Sequence, residues 1–487
     1  MRASRGLVVL MLSCAALIAC AGGGSPGSVT ELLPLHRNPA GASPIKHVII
    51  VIQENRSFDN LFATFPGANG TTTGKLEAVP PSLQGQCPYP YATSTPLAEK
   101  PLATGNDYEH RYQAPDPNRP AGYLVDLDNG LMDGFDLSYI PASSKIDCTG
   151  PYEYVQQSDI HEYWDMATQY VLADNLFQTQ GSGSFTGHQD LIAAGTVVPY
   201  GSGTASVIDN PTGYPWGCDA PPGTSGTKTS LITTNLHYLL NEGPFPCFSY
   251  LTMRDLLDKE SVSWKYYAQR VQGPKGPQGG DTAGIWSGFD AISAVRYSSE
   301  WGKNVTFSDL KIFTDIKAGK LPAVSWITPN AQNSDHPQEH EHGKLVDFGP
   351  AWVAQIVNAV GNSKYWKSSA IIVVWDDWGG FYDHVAPPKL SPPDNQGGLG
   401  FRVPMLIVSP YVKAHVEHTQ YEFGSILHFV EDNWNLGNLG QTDVRATSIG
   451  NAFDYSMAPR PFKQIQTKRS LQFFLNQKPS HELPDTE

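Results

Sequence analysis

Two short segments, far apart in the chain, place carboxylate or amide side chains directly after an apolar run. Glu54 and Asn55 follow the first run, and Asp376 and Asp377 follow the second. Oxygen ligands of this kind suit hard or borderline divalent cations, and carboxylates that meet in one place repel one another unless a cation neutralises them. The four residues together predict a divalent-metal site, with Zn, Ca and Mg as the candidate ions.

Each segment has a simpler interpretation when it is taken alone. Asn55 could cap a helix while Glu54 pairs with a basic side chain, and an Asp at a strand end often caps the next helix. A cap accounts for one Asp, but it accounts less well for three Asp residues and a His within 376–384. The second segment is therefore the more informative half of the predicted site.

A glycine-rich turn at 181–184 carries the candidate nucleophile, Ser184. A metal bound to a hydroxyl lowers the pKa of that hydroxyl and orients it for attack on an electrophile such as phosphorus. A neighbouring glycine allows a substrate to approach closely. Because Gly/Ser segments are more often simple connections, spacing alone does not assign this role.

Several histidines could donate to phosphate oxygens or protonate a leaving group. His336 is the better candidate, because an acidic residue and a proline flank it in a turn. His340 and His342 alternate with glutamates, a pattern typical of a solvated, charged loop. His110 is a further candidate, in an acidic and aromatic stretch.

The apolar runs before both acidic segments have the length and composition of buried parallel strands. In open α/β sheets, ligands bind beyond the carboxyl ends of such strands, where the acidic side chains would meet if the two strands are neighbours. Alternating strands and helices predict an α/β fold, a mostly parallel sheet with helices on both faces. The predicted strands are 47–53, 263–268, 323–327, 370–375 and 405–409, and the predicted helices include 163–172, 251–260, 352–360 and 423–434.

Two long segments rich in Gly and Pro interrupt this pattern, at 64–150 and 199–229. They show little periodicity, so we expect irregular loops that form a lid or a wall over the site. The net charge of −14 excludes a nucleic-acid groove on bulk electrostatics.

The amino terminus has the features of an export signal. Arg2 and Arg5 precede an apolar stretch that is too short to span a membrane, and Leu17-Ile18-Ala19-Cys20 resembles a bacterial lipobox. We expect a signal peptide at 1–19, a lipid anchor on Cys20 and a flexible tether at 20–43; an ordinary secretory signal cleaved nearby is the alternative. The protein would then be exported to the cell envelope or periplasm, or secreted.

Export implies an oxidising compartment, in which the remaining cysteines can pair. Cys87, Cys148, Cys218 and Cys247 allow three pairings. Local pairing is the simplest, so we expect the disulfides Cys87–Cys148 and Cys218–Cys247.

Six motifs, in register over nearly all of the mature chain, resemble the bacterial phosphoesterase family that contains phospholipases C and a class of acid phosphatases. The matching segments are 54–59, 174–178 with 184–185, 328–330, 334–337, 375–385, and 402–404 with 409–410. The resemblance implies an alkaline-phosphatase-like fold over 44–487. It also implies that Glu54, Asn55, Asp376 and Asp377 hold a divalent metal together with the nucleophile, Ser184.

The same resemblance implies a phospho-enzyme intermediate, with His336 and His110 contacting phosphate or assisting the leaving group. This chain departs from the usual family pattern at Gly183, where proline is common, and at Thr186-Gly187, where Pro-Asn is common. Ser182 therefore remains an alternative nucleophile.

These observations predict a metal-dependent hydrolase of phosphoric esters, whose partner is a phosphate ester or a phospholipid headgroup. Because no carboxyl-terminal lipid-binding module is recognisable, we expect a broad specificity that includes monoesters. The alternative is a catalytically inactive cell-surface binding protein on the same fold. Sulfatase-type hydrolysis is disfavoured, since the chain lacks a Cys/Ser-x-Pro-x-Arg motif.

Overall fold

The structure is a computed structural model that describes most of the chain from residue 43 onward. The described ranges are 43–77, 93–103, 123–137, 139–140, 145–146, 148–200, 204–211, 217–219, 228–233, 238–239, 241–269, 286–337, 340–341, 344–390 and 398–478. They all belong to one compact unit, Ala40–Glu487. The predicted signal and lipid anchor at Cys20, the cysteine Cys87 and the candidate His110 lie outside these ranges.

The largest sheet in the described part of the chain has nine strands. They are β1 His47–Gln53, β2 Val171–Phe177, β3 Trp264–Ala268, β4 Val305–Phe307, β5 Val324–Ile327, β6 Ser369–Trp375, β7 Arg402–Val408, β8 His415–Glu417 and β9 Tyr421–Glu422. Their order is β4-β3-β5-β1-β6-β7-β2-β8, and β9 also pairs with β2. Every pairing is parallel except the two made by β7. The predicted mostly parallel α/β sheet is confirmed.

The strands β1 and β6 are neighbours and run in register. Val48 pairs with Ala370 and Gln53 with Trp375, so the two strands end side by side. Both are nearly continuous runs of β-branched residues, which suit strands that are covered on both faces. Only His47 among their residues is more than marginally exposed. The segments that follow these strands must therefore meet at one edge of the sheet.

Ten α-helices accompany these strands in the described ranges. They are α1 Phe58–Phe62, α2 Tyr123–Leu127, α3 His161–Gln169, α4 Ser184–Ala193, α5 Met253–Lys259, α6 Ser293–Arg296, α7 Lys311–Lys317, α8 Gly349–Gly361, α9 Phe423–Trp434 and α10 Leu471–Leu475. One group packs around α8, which contacts α3, α7 and α10, and a second packs around α4, which contacts α5 and α9. The two groups give the layered arrangement expected for helices that cover both faces of a sheet. None of the described helices is long and apolar enough to cross a membrane.

One predicted helix has different bounds, and one segment predicted to be irregular contains a strand. The helix predicted over 163–172 ends at Gln169, and Val171–Phe177 is the strand β2. The segment 199–229, expected to be irregular, contains the strand Thr204–Pro211. This strand belongs to a four-stranded antiparallel sheet with Val197–Tyr200, Thr229–Thr233 and Tyr238–Leu239. Its backbone N–H and C=O groups form hydrogen bonds with strands on both sides, and the local sequence does not reveal these partners.

Cysteine pairing agrees with the prediction where the structure describes it. Cys218 and Cys247 form a disulfide. Cys148 is also disulfide-bonded, but Cys87 lies outside the described ranges, so the Cys87–Cys148 pair stays a prediction.

Candidate functional site

The ends of β1 and β6 bring four predicted metal ligands together. The Asn55 backbone N–H donates to Asp376 Oδ1 over 3.0 Å, and the Asp376 N–H donates to the Gln53 carbonyl over 3.0 Å. Glu54, Asn55, Asp376 and Asp377 are all fully buried. The structure thus places these four side chains in one small, water-excluded region.

The backbone reverses sharply on both sides of this region. Asn55 has a φ of 54° and Gly379 a φ of 61°, both in the left-handed region that few residues adopt easily. A Cβ added to Gly379 would lie 2.3 Å from the Asn55 carbonyl oxygen. A glycine is therefore required where the turn after β6 crosses the turn after β1.

Ser184 is the first residue of α4, and its hydroxyl faces this region. Its Oγ donates to Asp377 Oδ2 over 2.7 Å and lies 3.1 Å from Asn55 Oδ1. Ser182 is buried too, but its Oγ has no hydrogen-bond partner among the described residues. The geometry thus brings Ser184, rather than Ser182, to the predicted metal ligands.

His188 joins the same group, although it was not among the predicted site residues. Its Nε2 lies 3.1 Å from both carboxylate oxygens of Glu54 and 3.4 Å from Asp376 Oδ2. His188 is four residues after Ser184 on α4, so both side chains leave the same helix face. This i, i+4 spacing is the signal that could have identified it.

Close approach of α4 to the end of β6 depends on Gly187. A Cβ at this position would lie 2.5 Å from the Asp376 carbonyl oxygen. Gly187 therefore lets Ser184 and His188 reach Glu54, Asp376 and Asp377 from one helix.

The electrostatics of this group favour a bound cation. Burial, together with the charges of Asp376 and Glu54, raises the pKa of Asp377 well above its usual range. Burial also acts to raise the pKa of Asp376, but contacts with His188 outweigh it and lower that pKa. Three buried carboxylates with one imidazole form an environment that a divalent ion would neutralise.

The arrangement of ligand atoms fits a metal ion as well. Ligand atoms of Glu54, His188 and Asp376 all lie within 4.8 Å of one another. Asp376 Oδ2 has no hydrogen-bond partner among the described residues, although it is fully buried. This oxygen has His188 Nε2 at 3.4 Å as an ion-pair contact, and a bound cation would stabilise the buried carboxylate further. These groups could therefore hold a metal ion.

His336 lies in the loop after β5, at the same edge of the sheet. The preceding residue, Asp335, fixes this loop. Its carbonyl accepts from Arg56 Nε over 2.8 Å, and its Oδ2 accepts from Trp375 Nε1 over 3.0 Å. The His336 ring centroid is 6.1 Å from that of Trp286. Its proposed contact with phosphate stays a prediction, as does any role of His110.

Asp383 and His384, which the sequence grouped with Asp376 and Asp377, belong to a separate cluster. Arg402 Nη2 lies 3.0 Å from Asp383 Oδ2 and 3.2 Å from Asp59 Oδ1, and all three side chains are buried. His384 Nδ1 lies 2.6 Å from Asp59 Oδ2. The cluster contains its own cation, Arg402, and its ion pairs join the strand β7 to α1.

Replacing Arg402 with methionine is expected to destabilise the fold without changing the site directly. Removing one partner of a buried ion pair typically costs about 3–5 kcal/mol, because the remaining charge stays buried and unpaired. Here two carboxylates would lose their guanidinium. Chemical denaturation of the Arg402→Met variant should show a clearly lower midpoint, whereas Lys413→Met, which breaks the exposed pair with Asp454, should leave it unchanged. Equal midpoints for both variants would contradict this structural role.

Comparison with known proteins gives one matching family and several named relatives. The model of the phosphoesterase family matches residues 45–437. The chain is 24% identical to phospholipase C B of Mycobacterium tuberculosis over 87% of this chain and 80% of that protein. It is 30% identical to non-specific phospholipase C1 of Arabidopsis thaliana, over 88% of this chain and 75% of that protein. Identity to a non-hemolytic phospholipase C of Pseudomonas aeruginosa is 24%, over 95% of this chain but 62% of that protein.

Solved structures give more distant similarities. A protein of the alkaline phosphatase superfamily from Vibrio parahaemolyticus is 13% identical with a TM-score of 0.32, over 60% of this chain and 66% of that one. The lipoteichoic acid synthase of Listeria monocytogenes is 8% identical with a TM-score of 0.32, over 82% of this chain and 74% of that one. The family match extends over most of the chain and includes both strand ends and Ser184. The chain therefore belongs to the phosphoesterase family and is a phosphoric-ester hydrolase.

Proposed function

We propose that this hydrolase uses Ser184 as its nucleophile and a divalent cation held by Glu54, Asn55, Asp376 and Asp377. The observation that carries the proposal is the 2.7 Å hydrogen bond from Ser184 Oγ to Asp377 Oδ2, which aims the hydroxyl into the acidic group. A bound divalent cation would neutralise charge on the nucleophile and on the phosphoryl oxygens. Ser184 itself would be a ligand of this cation.

Ser184 Oγ attacks phosphorus, and the bond from phosphorus to the leaving oxygen breaks. The hydroxyl proton leaves toward Asp377 Oδ2, its present hydrogen-bond acceptor. His336, or His110, donates a proton to the leaving oxygen. Water then attacks the phosphorus of the resulting phosphoserine and gives its proton to the histidine that protonated the leaving oxygen. The bond from phosphorus to Ser184 Oγ breaks, Ser184 Oγ takes back its proton from Asp377, and phosphate or a phosphorylated headgroup is released. His188 keeps the Glu54 and Asp376 carboxylates in place throughout, through its contacts with both.

The full burial of Glu54, Asp376 and Asp377 supports a catalytic role for this site. Electrostatic interactions are stronger where water is excluded, and preoriented groups need no reorganisation when charge develops on the phosphoryl oxygens. A binding protein that had lost catalysis would gain nothing from a hydroxyl aimed at buried carboxylates. The inactive binding protein is therefore the less favoured candidate.

We propose a broad substrate range that includes phospholipids and phosphate monoesters. The names of the relatives support the phospholipid part of this range, and the monoester part follows from the family resemblance. Purified protein should hydrolyse phosphatidylcholine and aryl phosphates, lose both activities in chelator, and regain them when a divalent ion is added back.

Other outcomes of this experiment have distinct meanings. Release of diacylglycerol without any monoester hydrolysis would indicate a dedicated phospholipase C. Activity unaffected by exhaustive chelation would contradict the metal requirement. Lack of activity on either substrate class, in folded protein that binds a divalent ion, would favour the binding protein instead.

We also propose that the enzyme is exported and anchored through a lipid on Cys20. The support is the sequence pattern at 17–20 and the basic residues before it. Labelled fatty acid should be incorporated into the wild-type chain and not into Cys20→Ala; equal labelling of both would reject the anchor.

A further inference from the structure

A strand from outside the central sheet holds the turn that carries Ser184. Asp209 Oδ1 accepts a hydrogen bond from the Gly183 backbone N–H over 3.2 Å, and Asn210 Oδ1 accepts one from the Phe185 N–H over 3.0 Å. Both acceptors lie in the strand Thr204–Pro211. The two residues that flank Ser184 are thus each bound by a side chain from the same short segment.

Irregular pairing of this strand allows both side chains to reach the turn. Successive residues of a regular strand point to opposite faces, so Asp209 and Asn210 would normally diverge. The register with Thr229–Thr233 shifts between Asp209 and Pro211, which marks a bulge at Asn210. Bulges re-aim side chains and are common next to active sites. Both side chains are buried, with exposed fractions of 0% for Asp209 and 5% for Asn210.

These two bonds replace a cap that the helix lacks. The first backbone N–H groups of any helix have no partner within it, and side chains, ligands or water must satisfy them. The N-cap residue of α4 is Gly183, which has no side chain and makes no capping hydrogen bond. Unsatisfied N–H groups at a helix N-terminus bind phosphate readily. Here Asp209 and Asn210 occupy the N–H groups on either side of Ser184, so these groups restrain the turn instead of binding substrate.

We infer that Asp209 and Asn210 are positioning residues that fix the direction of the Ser184 hydroxyl toward Asp377 and Asn55. The inference rests on the proposed role of Ser184 as nucleophile. It also accounts for a flexible glycine directly before the proposed nucleophile. Glycine leaves the turn flexible, whereas proline would fix φ and remove the N–H. The hydrogen bond from the Gly183 N–H to Asp209 supplies the restraint that the proline ring would otherwise give.

Kinetics of single substitutions test this inference. Asp209→Ala and Asn210→Ala should each lower kcat by roughly 10–100-fold, since a displacement of about 1 Å at a reacting group can reduce the rate by that order. KM and bound metal should stay close to wild type. Asp209→Asn and Asn210→Asp, which keep an oxygen acceptor, should retain most of kcat. Ser470→Ala removes the cap of α10, far along the chain, and should lower only the melting temperature.

A double variant separates restraint of the turn from general stability. Gly183 has a φ of −79°, which proline can adopt. A proline ring at 183 takes the place of the N–H that Asp209 binds, so Gly183→Pro should be tolerated best when Asp209 is alanine. We expect Gly183→Pro with Asp209→Ala to recover most of the kcat lost in Asp209→Ala alone.

Wild-type kcat in both Asp209→Ala and Asn210→Ala would overturn the inference. It would also be overturned if the decrease in kcat parallels the decrease in melting temperature and neither the proline variant nor the acceptor-retaining variants restore kcat. The kcat of Ser184→Ala, measured in parallel, distinguishes failure of this inference from failure of the proposed function. Inactive Ser184→Ala with fully active Asp209→Ala and Asn210→Ala rejects only the positioning role. A Ser184→Ala variant that remains active would reject the assignment of Ser184 as the nucleophile.

Discussion

Ser184→Ala is expected to lower kcat by on the order of 10⁴-fold or more, the scale seen when the nucleophile of another hydrolase is removed. The substitution deletes the hydroxyl that donates to Asp377 Oδ2 and leaves the helix α4 otherwise unchanged. Alanine is a good helix former at the first helical position, so the melting temperature should remain near that of the wild type. Turnover of an aryl phosphate at saturating substrate is the measurement.

Ser182→Ala is the matched control for this substitution. The Ser182 hydroxyl has no hydrogen-bond partner among the described residues, although it lies two positions away in the same turn. It should therefore keep most of the wild-type rate. An inactive Ser182→Ala beside an active Ser184→Ala would transfer the nucleophilic role to Ser182.

Asp377→Asn is expected to weaken metal binding and to lower kcat by more than about 100-fold, since outer-shell changes alone reduce activity or affinity by about 10–100-fold. The amide is nearly the same size as the carboxylate, and its oxygen can still accept the hydrogen bond from Ser184 Oγ or from the Gly379 N–H. The change thus removes the charge and largely preserves the shape. Metal analysis of purified protein and the rate with added divalent ion should both show the loss.

Asp383→Asn provides the comparison for Asp377→Asn. Asp383 is an equally buried carboxylate, but it binds Arg402 in the separate cluster. Its replacement should reduce stability and leave the metal content unchanged. If Asp377→Asn retains full metal content and turnover, the site does not use this carboxylate as a ligand.

The sequence predicted that Glu54, Asn55, Asp376 and Asp377 meet if their two strands are neighbours, and the structure meets that condition. Two buried parallel strands end at the same edge of a sheet, and the register of β1 with β6 places their final residues side by side. The local pattern shows the strand type and the position of the acidic residues, whereas the adjacency of the two strands comes from the fold. The nucleophile turn was identified through the family resemblance, since Gly-rich segments are more often simple connections and composition alone does not assign them a role.

Other parts of the site depend on partners that are remote in sequence. Asp383 and His384 follow Asp377 closely, yet Arg402 and Asp59 draw them into their own ion-pair cluster. Nothing in the local sequence says which carboxylates an arginine will neutralise. His188 was not predicted as a site residue because its contacts with Glu54 and Asp376 depend on the position of α4 against β6. Gly187 permits that position.

The strand Thr204–Pro211 was missed for the same kind of reason. Its flanking segments are rich in Gly and Pro, which favours loops, and its pairing partners supply the hydrogen bonds that define it. Asp209 and Asn210 acquire their contact with the Ser184 turn only through that pairing. Tertiary context therefore overrode a local composition that is typical of irregular structure.

Direct detection of the covalent intermediate tests the central claim most sharply. Wild-type enzyme would be mixed with an aryl phosphate, quenched in acid within the first turnover, digested and analysed by mass spectrometry. We predict one phosphoryl group on Ser184, formed in proportion to the early release of the leaving group and absent from Ser184→Ala. Phosphate on Ser182 or on a histidine, or a burst of leaving group without any phosphorylated residue, would contradict the assignment of Ser184 as the nucleophile.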